Sequence, residues 1–229
     1  YDVLANRYLT FLKHHSYNPE NKKSHYLIET EFYGLPKDFV SIDLSAYEDG
    51  TQKIETLKTY QDLTRLHLQQ KNALSVVITT LERFEYLKEN GSYSTPKENY
   101  KEALLKYLNA VKTPKEKAWI HYKLAEFYYQ NANKKTTPDY LNKSLSQVEK
   151  IKDLLPNSHP GKQALKIERA ITSSQITIKT KQKPLPHRKF RALVNFKNTD
   201  SLYLRIYQIP QQVLTQYDYR QDSLARDLY

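Results

Sequence analysis

Seven histidines and the carboxylate pair Glu29 and Glu31 have the chemistry to hold a metal ion or pass a proton. His14-His15, His25, His67, His121, His159 and His187 are scattered, and there is no His-Glu-x-x-His, so each reads as an exposed or internally bonded histidine rather than a metal ligand. Glu29 and Glu31, beside Tyr26 and Phe32, have the spacing of paired carboxylates in a cleft. They lie in an irregular stretch with nothing to position them, and read as surface acids. The absence of Cys excludes disulfides, thiolate metal sites, a Cys nucleophile and an internal thioester. There is no Gly-rich phosphate loop, and no Ser/His/Asp grouping stands out by spacing. No catalytic, metal or cofactor-binding residue is therefore assigned, no cofactor is expected, and the chain is not expected to be an enzyme.

Binding chemistry is better represented. The formal charge is +11, and the basic excess belongs to the second part of the chain. Between Glu168 and Asp200 there is no acid, while Lys179, Lys181, Lys183, Arg188, Lys189 and Arg191 crowd together. Such a window suits nucleic acid or an anionic surface, with binding that would weaken steeply in salt. Lysines on strand edges and loops also block edge-to-edge aggregation, which is the favoured reading, so no nucleic-acid partner is expected. A second group, Trp119, Tyr122, Tyr128 and Tyr129, lies on one strongly helical segment and could face a polypeptide partner. Aromatics at helical spacing also stack inward between helices.

The elements that must position these groups are mainly helical, as 20 Tyr against only 4 Gly in 229 residues suggests. "YDVLANRYLTFLKHH" places Leu4, Tyr8, Phe11 and Leu12 on one helical face. From about His25 to Ala46 periodicity is lost, and "FYGLPKDFVSIDLS" reads as an extended connector. One helix should then carry Ile54, Leu57, Gln61, Thr64 and Leu68, and the next Val77, Leu81, Phe84 and Leu87, ending near Gly91. Thr95-Pro96, Thr113-Pro114 and Thr137-Pro138 each put a hydroxyl at a helix N-cap and Pro at the first helical position. Glu98 and Glu116 would complete capping boxes in the first two. Ala103, Tyr107 and Ala110, followed by Leu124, Ala125 and Tyr128, fit the phase of a tetratricopeptide-like repeat, and Ser144, Val148, Ile151 and Pro156 continue it less regularly. A last helix is expected at about Pro160 to Thr172. Stacked hairpins of this kind form concave surfaces that usually bind other polypeptides.

After Ser174 the period becomes two. "QITIKT", "FRALVNF" and "SLYLRIYQI" read as strands, with "KNTD" as the turn between the last two. The expected class is α+β, mainly α: a helical-repeat region over 1–172 followed by a small antiparallel β-meander in 173–229. Three strands make a poor domain by themselves.

The stretch "ITIKTKQKPLPHRKFRALVNFKNTDSLYLRIYQI" resembles the opening strands of the first macroglobulin-type β-sandwich in the bacterial alpha-2-macroglobulin-like proteins of Bacteroides and relatives. "YDVLANRYLTFL" resembles the first helix of the tetratricopeptide-like region that precedes it there. The resemblance implies a scaffold or protein-interaction portion of a protease-trapping protein in the periplasm or cell envelope. Its partners would be protein: downstream macroglobulin domains of the same chain, proteases or other envelope proteins. Membrane attachment would come only through a lipid anchor outside this chain. The family's bait segment and Cys-x-Glu-Gln thioester have no counterpart in these residues. A free-standing tetratricopeptide-like adaptor is the alternative, and a basic anion or nucleic-acid binder the third reading. No apolar run approaches the length of a membrane span, and the start at Tyr1 leaves a removed signal segment open.

Overall fold

The computed structural model describes residues 2–14, 30–47, 52–91, 95–180 and 191–203. Within them the fold is mainly helical with one small two-stranded antiparallel sheet, in agreement with the expected α+β class. The chain divides into two units, Tyr1–Thr172 and Ser173–Tyr229.

The long helices of the first unit are α1 (Asp2–His14), α3 (Gln52–Gln69), α4 (Ala73–Asn90), α5 (Pro96–Ala110), α6 (Pro114–Gln130), α7 (Tyr140–Leu154) and α8 (His159–Thr172). A short α2 (Pro36–Val40) lies between 3-10 turns at Thr30–Tyr33 and Leu44–Ala46. From α3 onward each helix packs on the next, and α4 also packs on α6 and α6 on α8. Among the described residues no comparable packing joins α3 to α5 or α5 to α7. This neighbour pattern is the one by which stacked helical hairpins close a continuous core.

Helix α6 serves two cores. Ile120, Leu124, Phe127 and Tyr128 join the larger one with Leu57, Tyr60, Leu81, Phe84 and Leu104. Ala118 and Ala125 join a smaller one with Val148, Ile151, Ala164, Ile167 and Ile171. Small side chains on that second face leave room for α7, and the Ser144 hydroxyl donates to the Ala125 carbonyl at 2.8 Å. Each fully buried Leu or Ile here contributes about 1.5–3 kcal/mol.

Four local expectations are corrected. The segment read as an extended connector is folded into short helical turns, because Phe32, Tyr33, Phe39 and Leu44 are buried anchors in the larger core. Helix α1 buries Ala5, Leu9 and Leu12, whereas Leu4, Tyr8 and Phe11 are exposed. Two apolar stripes compete on α1, and the one containing small Ala5 is the one buried. Thr95 makes no capping bond to the backbone; its hydroxyl donates to the Asn99 side chain instead. Thr137 does not start a helix. It bridges to Asn133 across a tight loop, its hydroxyl donates to the Asn131 carbonyl, and α7 begins after Asp139.

At α6 the capping box forms: Thr113 Oγ1 accepts from the Glu116 N–H at 3.3 Å, and Glu116 Oε2 accepts from the Thr113 N–H at 3.1 Å. Thr113→Ala is expected to lower stability by about 1 kcal/mol, read by urea denaturation. An unchanged midpoint would show that the box contributes nothing.

In the second unit β1 (Gln175–Thr180) pairs antiparallel with β2 (Ala192–Lys197), with Ile176 opposite Phe196, Ile178 opposite Val194 and Thr180 opposite Ala192. These six share one face, since directly paired residues project to the same side of a sheet. Residues 201–203 of the third expected strand are not in a strand, and the rest of it lies outside the described residues, as does the "PLPHRKF" crossover.

Candidate functional site

Helices α2 to α6 leave a cleft of about 530 Å³ in the first unit. It lies where the C-terminal ends of α3 and α5 meet the first turns of α4 and α6, with Leu35 to Asp38 forming one wall. Leu35, Val76, Val77, Ala110 and Val111 make the lining mainly apolar. Such a volume suits a small organic ligand.

The wall is held by an unusual interior cation. Arg83 of α4 is fully buried, its guanidinium 3.7 Å from the centroid of the Phe39 ring and 5.0 Å from that of Phe84. Its Nη2 donates to the Gly34 carbonyl at 2.5 Å, while Nε and Nη1 have no hydrogen-bond partner among the described residues. Burial lowers its pKa to about 9, against smaller raising effects of Tyr107 and Tyr60, so the group stays charged at neutral pH. Arg83 thereby ties Gly34 and α2, and with them the wall of the cleft, to α4.

His67 lines the cleft from the end of α3 and is only 4% exposed, and its Nδ1 has no hydrogen-bond partner among the described residues. Tyr107 forms part of the same lining; burial raises its pKa to about 12, more than Thr80 and Arg83 lower it, so its hydroxyl is neutral. In the sequence His67 reads as one of seven scattered histidines, and Arg83 was not singled out. The available signal was polarity inside an apolar stripe: Arg83 lies beside Thr80, Phe84 and Leu87, and His67 continues the face of Tyr60 and Thr64.

The sequence-selected aromatics do not form one surface. Trp119 stacks on His159 of α8, with centroids 5.4 Å apart, and packs on the larger core. Tyr122 packs on the smaller core, and its hydroxyl donates to Glu126 at 3.2 Å. Tyr128 is buried against Phe127 and Tyr140. Tyr129 is the only one of the four with an exposed side chain, at 38%. Of the basic group, Lys179 lies in β1 opposite Leu193 and Arg191 precedes β2, both exposed. Lys181, Lys183, Arg188 and Lys189 lie outside the described residues. Glu31 accepts from the Tyr47 hydroxyl at 3.1 Å, and Glu29 lies outside the described residues.

One ion-pair cluster links α4 to α6: Lys123 Nζ reaches Glu85 at 2.7 Å and Glu126 at 3.1 Å. Burial pulls the Lys123 pKa down, but the two carboxylates outweigh it and hold the ammonium above its usual value. Among the described residues there is no cluster of three or more metal-ligating side chains and no helix long and apolar enough to cross a membrane.

His121 joins α6 to α7, with Nδ1 2.7 Å from Gln147 Oε1. Burial lowers its pKa below 6.5, the Gln147 bond opposes, and Lys150 and Lys117 lower it further. The unfolded chain thus takes up the proton first. The stability contribution is complete above about pH 6.5 and is lost as the pH falls from there toward the folded-state pKa. The thermal midpoint should fall on acidification, and His121→Gln should flatten that fall. An identical pH profile in the variant would exclude His121 as a source.

No family model, curated protein or solved structure matches this chain.

Proposed function

We propose that this chain is the non-catalytic, protein-contacting portion of an alpha-2-macroglobulin-like protease-trapping protein of the cell envelope. In it, tetratricopeptide-like hairpins precede the first strands of a macroglobulin-type β-sandwich. The observation that carries this reading is the apolar face of β1 and β2, where Ile176, Ile178 and Phe196 are 45%, 48% and 65% exposed. A two-stranded sheet is marginal in water, and an exposed apolar face on it calls for cover. Further strands of a sandwich would supply that cover, and the sequence resemblance names the same partner. The free-standing adaptor draws on the stacked hairpins only and leaves the sheet face unexplained. The periplasmic or envelope location rests on the resemblance.

The experiment is to immunopurify the native protein with an antibody raised against this chain and challenge it with a protease. Cleavage of the native protein, followed by retention of the protease and its loss of activity on large protein substrates, is the expected result. A protease that remains free and fully active on such substrates would contradict trapping.

A further inference from the structure

The cleft carries an inference independent of that reading. Three lysines surround it on three separate segments: Lys37 in α2, Lys71 in the turn between α3 and α4, and Lys112 in the turn between α5 and α6. All three are exposed, and none forms an ion pair among the described residues. Two acids share the lining. Glu116 is occupied as a helix cap, accepting from the N–H groups of Lys112 at 3.3 Å and Thr113 at 3.1 Å, which leaves Asp38 against the three lysines. The N-terminal ends of α4 and α6 and the C-terminal ends of α3 and α5 meet here, so their dipoles offset one another. The lysines therefore set the sign of the mouth.

The walls include the apolar Leu35, Val76, Val77, Ala110 and Val111. We propose that this cleft is a binding site for a small amphipathic anion, an apolar body carrying one carboxylate. The apolar body occupies the space between α2, α4 and α5, and the carboxylate lies among Lys37, Lys71 and Lys112. Lysines recognise it as point charges, so the head group is selected by charge and the body by fit.

The test is calorimetric titration of the full chain with sodium decanoate, below the concentration at which it forms micelles, in low salt. Saturable binding at one site is expected, with 1-decanol binding about tenfold or more weakly for lack of the charge. Ala110→Trp, which fills the cleft from an exposed position, should abolish binding. The double variant Lys71→Glu and Lys112→Glu should weaken it about tenfold or more while keeping the thermal midpoint, because both residues are solvent-exposed. Absence of saturable binding would overturn the proposal. So would binding unchanged by Ala110→Trp and by the lysine pair, which would place decanoate elsewhere, as on the exposed face of β1 and β2.

Discussion

Arg83→Ala is expected to cost about 3–5 kcal/mol of folding stability, among the largest losses any single substitution in this chain should produce. Three losses coincide. The side chain is fully buried, so truncation opens a cavity between Phe39 and Phe84. The cation–π contact, worth about 1–2 kcal/mol where water is excluded, disappears. The Gly34 carbonyl loses its donor, at about 1–3 kcal/mol if it remains dry. Against these stands relief from burying a charge with no carboxylate beside it, which is why Arg83→Met should lose less than Arg83→Ala: it keeps most of the volume and discards the charge. Urea denaturation of both variants reads the difference. An Ala variant within about 1 kcal/mol of the parent would mean that the guanidinium costs as much as it contributes.

The second large effect inverts a propensity rule. Gly161 is the third residue of α8, where Ala would ordinarily be better by about 1 kcal/mol. A Cβ there would meet the Leu155 carbonyl oxygen at 2.7 Å and the Pro156 carbonyl oxygen closer still. Both are backbone atoms of the turn that leads into α8, so neither can swing away as a side-chain end would. Gly161→Ala should therefore destabilise by about 2–3 kcal/mol, as overpacking does. The damage should concentrate in the smaller core, because Ala164, Ile167 and Ile171 are the residues α8 contributes to it. Amide exchange should quicken in α8 before it quickens in α3 or α4. A more stable Ala variant would show that the turn yields.

Regular elements were legible in the sequence where one signal dominated. Val77, Leu81, Phe84 and Leu87 share one apolar stripe, and all four are buried in α4. Ala192, Val194 and Phe196 alternate with Leu193, Asn195 and Lys197, and all three lie on one face of the sheet. Legibility failed where two signals competed. On α1, Leu4, Tyr8 and Phe11 form a bulkier stripe than Ala5 and Leu9, yet close packing takes the smaller set. In Thr30–Ala46 no period exists to read, because each turn is pinned by a single anchor such as Phe32 or Phe39 rather than by a repeating face. The hydroxyl of Thr137 had two uses, cap or loop clasp, and the distance to Asn131 and Asn133 decided between them. The cleft was illegible for a different reason: Lys37, His67 with Lys71, and Lys112 come from three separated segments, and only the stacking of α2 to α6 brings them together.

That the apolar face of β1 and β2 is covered by further strands of a larger protein is most directly tested by the mass of the native protein. An immunoblot of source cells with an antibody against this chain should show a band several times larger than 27.1 kDa. A single band near 27 kDa would contradict the macroglobulin reading and leave the peptide-binding adaptor in its place.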